Sequence, residues 1–162
     1  MGKSKDKDIK TNAMRILDRS GVSYRVNTYE CEEFIDGIHI AEMLGQACEI
    51  SFKTLVAKGK SGGYYVFDIP VDKELDLKKA AKSVGEKSVE LLHVKDISKV
   101  TGYIRGGCTP LGMKKQYPTV IDSSALDHEE IIISGGRLGS QIILAPRDLE
   151  KVLGGKFESI TL

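Results

Sequence analysis

Apolar and polar positions change their period several times along the chain, and each change marks an element. Ala13, Ile16 and Leu17 recur at helical spacing behind the capping residues Thr11 and Asn12, with Gly21 as a stop, so a first helix is expected there. Val22 to Asn27 alternates, the pattern of a half-buried strand. A short helix is expected around Ile38 to Leu44, closed by Gly45. Ile50 to Ala57 and Tyr64 to Ile69 read as two strands joined by the turn Gly59-Lys60-Ser61-Gly62-Gly63. Asp76 caps a helix running to Val84, Ser88 to Leu92 is a further strand, and Val94 to Val100 is a short helix. Strands follow near Thr119 to Ile121, at Ile131 to Ile133 and at Gln141 to Leu144. Pro146 suits the first turn of a last helix that ends at Gly154-Gly155. Strands outnumber helices but are interspersed with them, which points to an α+β (mixed α/β) single domain. Residues 1–9, charged and without an apolar core, read as a flexible tail.

Composition narrows the class of function. The 162 residues fit one domain with a sizeable core; 41% hydrophobic and 29% charged residues are ordinary for a soluble globular protein. A formal net charge of +1 excludes a broad cationic field, so any nucleic-acid contact must rest on a local basic patch. Cys31, Cys48 and Cys108 are odd in number and far apart, which argues against a disulfide framework or a zinc site and for a reducing compartment. The charged start is not a signal peptide, Asp6 stands where a myristoylation pattern needs Ser or Thr, and no apolar run approaches the ~20 residues of a membrane span. A cytoplasmic protein without membrane contact is expected.

Three stretches hold candidate chemistry. Lys53 lies inside a mostly apolar strand, so it either reaches the solvent face or meets a polar cavity. Gly102 to Gly112 carries Gly106-Gly107 and Cys108-Thr109-Pro110, a build that serves as a crossover loop or lets a ligand approach the backbone. Arg105, Lys114 and Lys115 nearby are candidates for phosphates. Ile131-Ile132-Ile133 then runs into Ser134-Gly135-Gly136, either a tight hairpin or a turn that offers bare backbone N–H groups to an oxyanion. Gly136-Arg137-Leu138-Gly139 also matches the GXXG clamp of a KH domain in its four residues. His39, His93 and His128 are scattered, Cys108 has no histidine placed to activate it, and P-loop, zinc-deaminase and nucleophile-elbow patterns are missing. No protein nucleophile with a base stands out.

Taken in order, Phe-Lys-Thr-Leu-Val, Gly-Tyr-Ile-Arg-Gly-Gly-Cys-Thr-Pro-Leu-Gly and Ile-Ser-Gly-Gly-Arg-Leu-Gly resemble the YbaK/EbsC family of aminoacyl-tRNA deacylases, related to the editing insertion domain of prolyl-tRNA synthetase. The likeness runs from about Lys10 to Leu162 and includes Lys-Thr-Asn-Ala-Met, Asn-Thr-Tyr-Glu, Leu-Asp-Leu-Lys-Lys-Ala-Ala-Lys and Pro-Thr-Val-Ile-Asp. The resemblance implies a curved, mixed six- to seven-stranded sheet flanked by helices, without cofactor or metal. It implies hydrolysis of the ester between a wrong amino acid and tRNA, with Cys-tRNA(Pro), and also Cys-tRNA(Cys), as substrate. The substrate's own thiol would cleave the ester, in trans beside prolyl-tRNA synthetase. Carried over by motif, it assigns catalysis to Lys53, Gly107, Ser134 and Gly136, and substrate contacts to Tyr29, Thr54, Gly106 and Gly135. Phe34 corresponds to a pocket phenylalanine, and Gln141 stands where similar members carry an acidic residue. Other readings are editing of another small amino acid such as alanine by direct water attack, or a non-catalytic module that binds the tRNA end or a synthetase.

Overall fold

The computed structural model describes residues 10–162, so the tail expected at 1–9 lies outside the described residues. Helix α1 (Asn12–Ser20) starts where the Thr11 hydroxyl accepts the Met14 N–H at 3.3 Å and stops at Gly21, in the left-handed conformation. Helix α2 (Gly37–Leu44) is capped by Asp36 and closed by Gly45, and α3 (Leu77–Ser83) is capped by Asp76. Helices α4 (Val94–Thr101) and α5 (Pro146–Leu153) end at Gly102 and Gly154. All five stand where the sequence places them.

Eight strands are described: β1 (Arg25–Thr28), β2 (Phe52–Gly59), β3 (Tyr64–Pro70), β4 (Val89–Leu91), β5 (Thr119–Asp122), β6 (Ile131–Ser134), β7 (Ser140–Leu144) and β8 (Lys156–Glu158). They form an antiparallel sheet in the order β1-β7-β6 and a mixed sheet in the order β4-β2-β3-β5-β8. In the mixed sheet β2 pairs antiparallel with β3 and β4, while β3–β5 and β5–β8 are parallel. Ser51, just ahead of β2, bridges to Ile132 of β6 in parallel, and this seam joins the two sheets. The mixed α+β architecture is the one expected from the sequence. Short β8 adds a strand to that picture: Lys-Phe-Glu is too short and too charged to stand out from a helix end.

Two boundaries move for physical reasons. The first strand begins at Arg25 and not at Val22, because β7 offers a partner only from Arg25↔Ile143 onward. Val22 and Tyr24 pack instead on the core beneath, and the Tyr24 hydroxyl donates to Asp18 of α1 at 2.8 Å. Ile50 leaves the second strand for a 3₁₀ turn, Cys48–Ile50, which the Ser51 hydroxyl closes on the Ala47 carbonyl at 2.9 Å.

The core falls into three clusters. Ala13, Met14 and Leu17 of α1 and Leu149 and Leu153 of α5 meet Ile131, Ile133, Ile142 and Leu144 of the small sheet. On one face of the mixed sheet Ala57, Phe67 and Ile69 pack on Ala80 and Ala81 of α3; on the other Val56 and Val66 pack on Val100 of α4. Both faces of β3 are covered, which is why its sequence is an apolar run and not an alternation. Asp68, inside that run, is wholly buried. Among the described residues no helix is long and apolar enough to cross a membrane.

Candidate active site

A cleft of about 440 Å³ opens at the seam between the sheets. The start of β2 supplies Phe52, Lys53, Thr54 and Leu55, and the end of β6 supplies Ile132, Ile133 and Ser134. Ser140 and Gln141 open β7 on one side, Arg105, Gly106 and Cys108 come from the Gly102–Gly112 loop, and Tyr29 to Ile40 contributes the outer wall.

Lys53 reaches the cleft half-buried, its Nζ donating to the Val71 carbonyl at 3.3 Å. Burial pushes its pKa down, while the carboxylates of Glu74, Asp72 and Asp36 favour the charged form. Thr54 Oγ1 donates to Asp68 Oδ1 at 2.6 Å. Ser134 Oγ accepts the Gly136 N–H at 3.2 Å, which leaves the seryl O–H to donate into the cleft. Tyr29 is anchored by its own N–H on the Gly139 carbonyl at 2.9 Å, and burial keeps its phenol neutral by raising its pKa.

Five of the eight residues singled out in the sequence line the cleft: Tyr29, Lys53, Thr54, Gly106 and Ser134. Gly107, Gly135 and Gly136 stand behind the wall. The Gly107 N–H is bonded to the Ile104 carbonyl at 3.0 Å, and a Cβ on Gly107 would lie 3.0 Å from the Arg137 Cα. The Gly135 N–H is bonded to the Ser140 carbonyl at 2.8 Å, and its carbonyl accepts the Thr11 hydroxyl at 2.6 Å. In this state none of these three N–H groups is free for an oxyanion, and the glycines hold the loop and the hairpin together. The tetrapeptide 136–139 is the tip of the β6–β7 hairpin, so its likeness to a KH clamp goes no further than sequence. Phe34 lies under Arg105, whose Cζ is 3.9 Å from the ring centroid, a cation–π contact at the rim. Lys114 and Lys115 do not line the cleft.

Sequence reading singled out Gln141 but missed its partners Gln46 and Asn27, and also Ser140 and Asp68. Gln46 and Gln141 exchange side-chain amide bonds at 2.8 and 3.0 Å, and Asn27 donates to Gln141 Oε1 at 3.0 Å. Gln141 is therefore a fixed, neutral part of the floor. Ser140 Oγ is buried without a hydrogen-bond partner, as is Asp68 Oδ2. Asp was the one visible signal, since aspartate is depleted inside strands. Burial pushes the Asp68 carboxyl up to about 7 against the Thr54 bond, which lowers it. A carboxyl pKa raised on folding means that protonation favours the fold in acid, and this contribution is lost as pH rises through about 7.

Among the described residues the cleft holds no activated nucleophile, and no histidine lines it. Burial, then the nearby Asp68 charge, pushes the Cys108 thiol up to about 12. At pH 8 such a thiol is ionised to only about one part in 10⁴. Iodoacetamide at pH 8 is accordingly expected to leave Cys108 unmodified, by peptide mass spectrometry, under conditions that alkylate free cysteine. Rapid alkylation of Cys108 would instead reveal a reactive thiol.

A model of the aminoacyl-tRNA editing domain family matches residues 38–152. EbsC of Enterococcus faecalis, provisionally named a Cys-tRNA(Pro)/Cys-tRNA(Cys) deacylase, is 46% identical over 153 residues, covering 94% of this chain and 93% of that protein. Among solved structures, a hypothetical protein superposes with a TM-score of 0.86 at 23% identity, covering 94% of this chain and 100% of that one. A protein provisionally described as a trans-editing enzyme for prolyl tRNA synthetase superposes with a TM-score of 0.81 at 23% identity, covering 96% and 99%. At that identity the two structures speak for the fold.

Proposed function

Because the chain belongs to the aminoacyl-tRNA editing domain family, we propose that it is a trans-editing aminoacyl-tRNA deacylase whose preferred substrate is Cys-tRNA(Pro), with Cys-tRNA(Cys) also accepted. The observation that carries this reading is a cleft that brings the half-buried Lys53 ammonium together with the hydroxyls of Thr54 and Ser134 and holds, among the described residues, no activated nucleophile. An ester that brings its own nucleophile needs nothing more. The thiol of the cysteinyl group attacks its own carbonyl; the new S–C bond forms as the C–O bond to the ribose breaks. The thiol proton passes to the departing ribose oxygen. Water then opens the thiolactone to cysteine. Holding thiol and carbonyl in a reactive pose is the main contribution asked of the protein.

Lys53 balances the charge of the terminal nucleotide and of the oxyanion that develops on the carbonyl. Ser134 donates its O–H to the same oxygen, and the Gly136 N–H on its Oγ strengthens that donor. Thr54 and Tyr29 contact the aminoacyl group, while the Gly106 backbone lets the nucleotide approach. Gly107 and Gly135 fix the two strands of chain behind it. Prolyl-tRNA synthetase is the partner whose error is corrected, as the name of the similar trans-editing structure suggests for that protein.

Comparison of Cys-, Ser- and Ala-tRNA(Pro) under identical conditions tests this reading. The cysteinyl ester is expected to react at least about tenfold faster than the others, since alanine has no side-chain nucleophile to exploit proximity and the equally placed serine hydroxyl is a much weaker nucleophile than the thiol. Equal rates on all three would assign the chemistry to bound water. No reaction on any would leave a module that binds the tRNA end.

A further inference from the structure

Thr54 and Asp68 face each other across the β2–β3 pair, so their side chains share one face of the sheet. That face points at α4 and the Gly102–Gly112 loop, and Thr54 lines the cleft there while Asp68 lies behind it, fully buried. A threonine hydroxyl owns one proton, and here it is committed to Asp68 Oδ1 at 2.6 Å. Only lone pairs are left to face the cleft. We propose that Asp68 is a positioning residue that locks the Thr54 hydroxyl as an acceptor, so that Thr54 selects a hydrogen-bond donor on the aminoacyl group, its α-ammonium or its side-chain thiol. This rests on the deacylase reading of the cleft and adds to it a device for recognition.

The surroundings of Asp68 fit that role better than a structural one. Its Oδ2 is buried without a hydrogen-bond partner, while its Oδ1 accepts from a residue of the cleft wall. The titratable group facing it is the Cys108 thiol, from the loop, which is held neutral. A carboxylate that merely braced the sheet would be expected to have both oxygens satisfied. Burial opposes its charge above about pH 7, a cost that a merely structural position has no reason to carry.

The test uses four non-hydrolysable ligands in which the acyl group is joined by an amide to 3′-amino-3′-deoxyadenosine. The cysteinyl form carries both donors, the alanyl form the ammonium alone, the 3-mercaptopropionyl form the thiol alone, and the propionyl form neither. With wild-type protein, removal of the donor that Thr54 takes is expected to weaken binding by about tenfold or more. The arm that shows this loss identifies the donor. In Asp68→Val the same removal is expected to cost less than about threefold, whereas Asp68→Asn, which keeps a carbonyl oxygen for Thr54, retains the wild-type discrimination. Asp68→Val is also expected to be at least as stable as wild type at pH 8, because the buried charge is gone.

Undiminished discrimination in Asp68→Val, or uniform weakening of all four ligands, would overturn the assignment. A marked loss of stability at pH 8 would do the same, by showing the carboxylate to be a brace. If wild-type protein binds none of the four, it is the deacylase reading of the cleft that fails, and the two failures are distinct.

Discussion

Lys53→Ala is expected to lower the rate of cysteine release from Cys-tRNA(Pro) by at least about 100-fold, the loss that follows removal of one charge-stabilising donor from a preorganised site. Three features make this the largest kinetic effect in the molecule. Lys53 is half-buried at the seam of the two sheets, so its field acts through little water. Burial lowers its pKa, and the nearby carboxylates of Glu74, Asp72 and Asp36 work against that shift in favour of the charged form. Among the described residues the other cation lining the cleft, Arg105, is stacked on Phe34 at the rim. The side chain makes one hydrogen bond, to the Val71 carbonyl at 3.3 Å, so the fold does not depend on it. Circular dichroism of Lys53→Ala is expected to match wild type. Lys53→Arg is expected to recover only part of the rate, since a planar fork does not replace a compact ammonium at the same reach. Full activity in Lys53→Ala would mean that this lysine acts as an ordinary solvent-face residue.

Gly139→Ala is expected to have the largest effect on stability. Gly139 closes the β6–β7 hairpin at φ +79°, and a Cβ there would lie 2.4 Å from the Tyr29 carbonyl oxygen. The same two residues are joined by the Tyr29 N–H on the Gly139 carbonyl at 2.9 Å, so the backbones cannot part without losing that bond. Left-handed strain of about 1–2 kcal/mol adds to an overpacking cost of about 1–3 kcal/mol. Urea denaturation should therefore show a loss of roughly 2–5 kcal/mol, together with a raised KM as Tyr29 leaves the cleft wall. Gly21→Ala separates the two causes. Gly21 has nearly the same φ, +73°, but nothing within 4 Å of its would-be Cβ, so only the strain should appear. Equal losses in the two variants would remove the clash with Tyr29 from the explanation.

The sequence made much of this visible, and the residues show why the rest was hidden. Helix boundaries were legible because caps are local events: Thr11 and Asp76 start helices by bonding their own next turn, as Asp36, which the sequence did not single out, also does. Lys53 was legible because a cation inside an apolar strand has few places to go. Ser134-Gly135-Gly136 fits either a hairpin or a site by sequence, and the geometry makes the alternatives compatible. The turn is a hairpin whose serine faces the cleft and whose glycines face the other way, toward Thr11 and Ser140.

Which N–H groups stay free was not legible, because that depends on turn partners such as Ile104 for Gly107. The Gln46–Gln141–Asn27 cluster joins residues as much as 114 positions apart, and no local pattern announces it. Asp68 is out of place in the apolar strand Tyr64–Pro70, but the sequence does not say what it does there. Its importance becomes visible only when β2 and β3 are in register and Thr54 stands opposite.

Release of cysteine from Cys-tRNA(Pro), followed under single-turnover conditions with wild-type protein in excess, tests the proposed activity most directly. Loss of the ester is expected at least about 100-fold faster than the spontaneous rate, a barrier lowered by roughly 3 kcal/mol. Loss at the spontaneous rate, with protein shown to be folded and the same tRNA still accepting fresh amino acid, would contradict it.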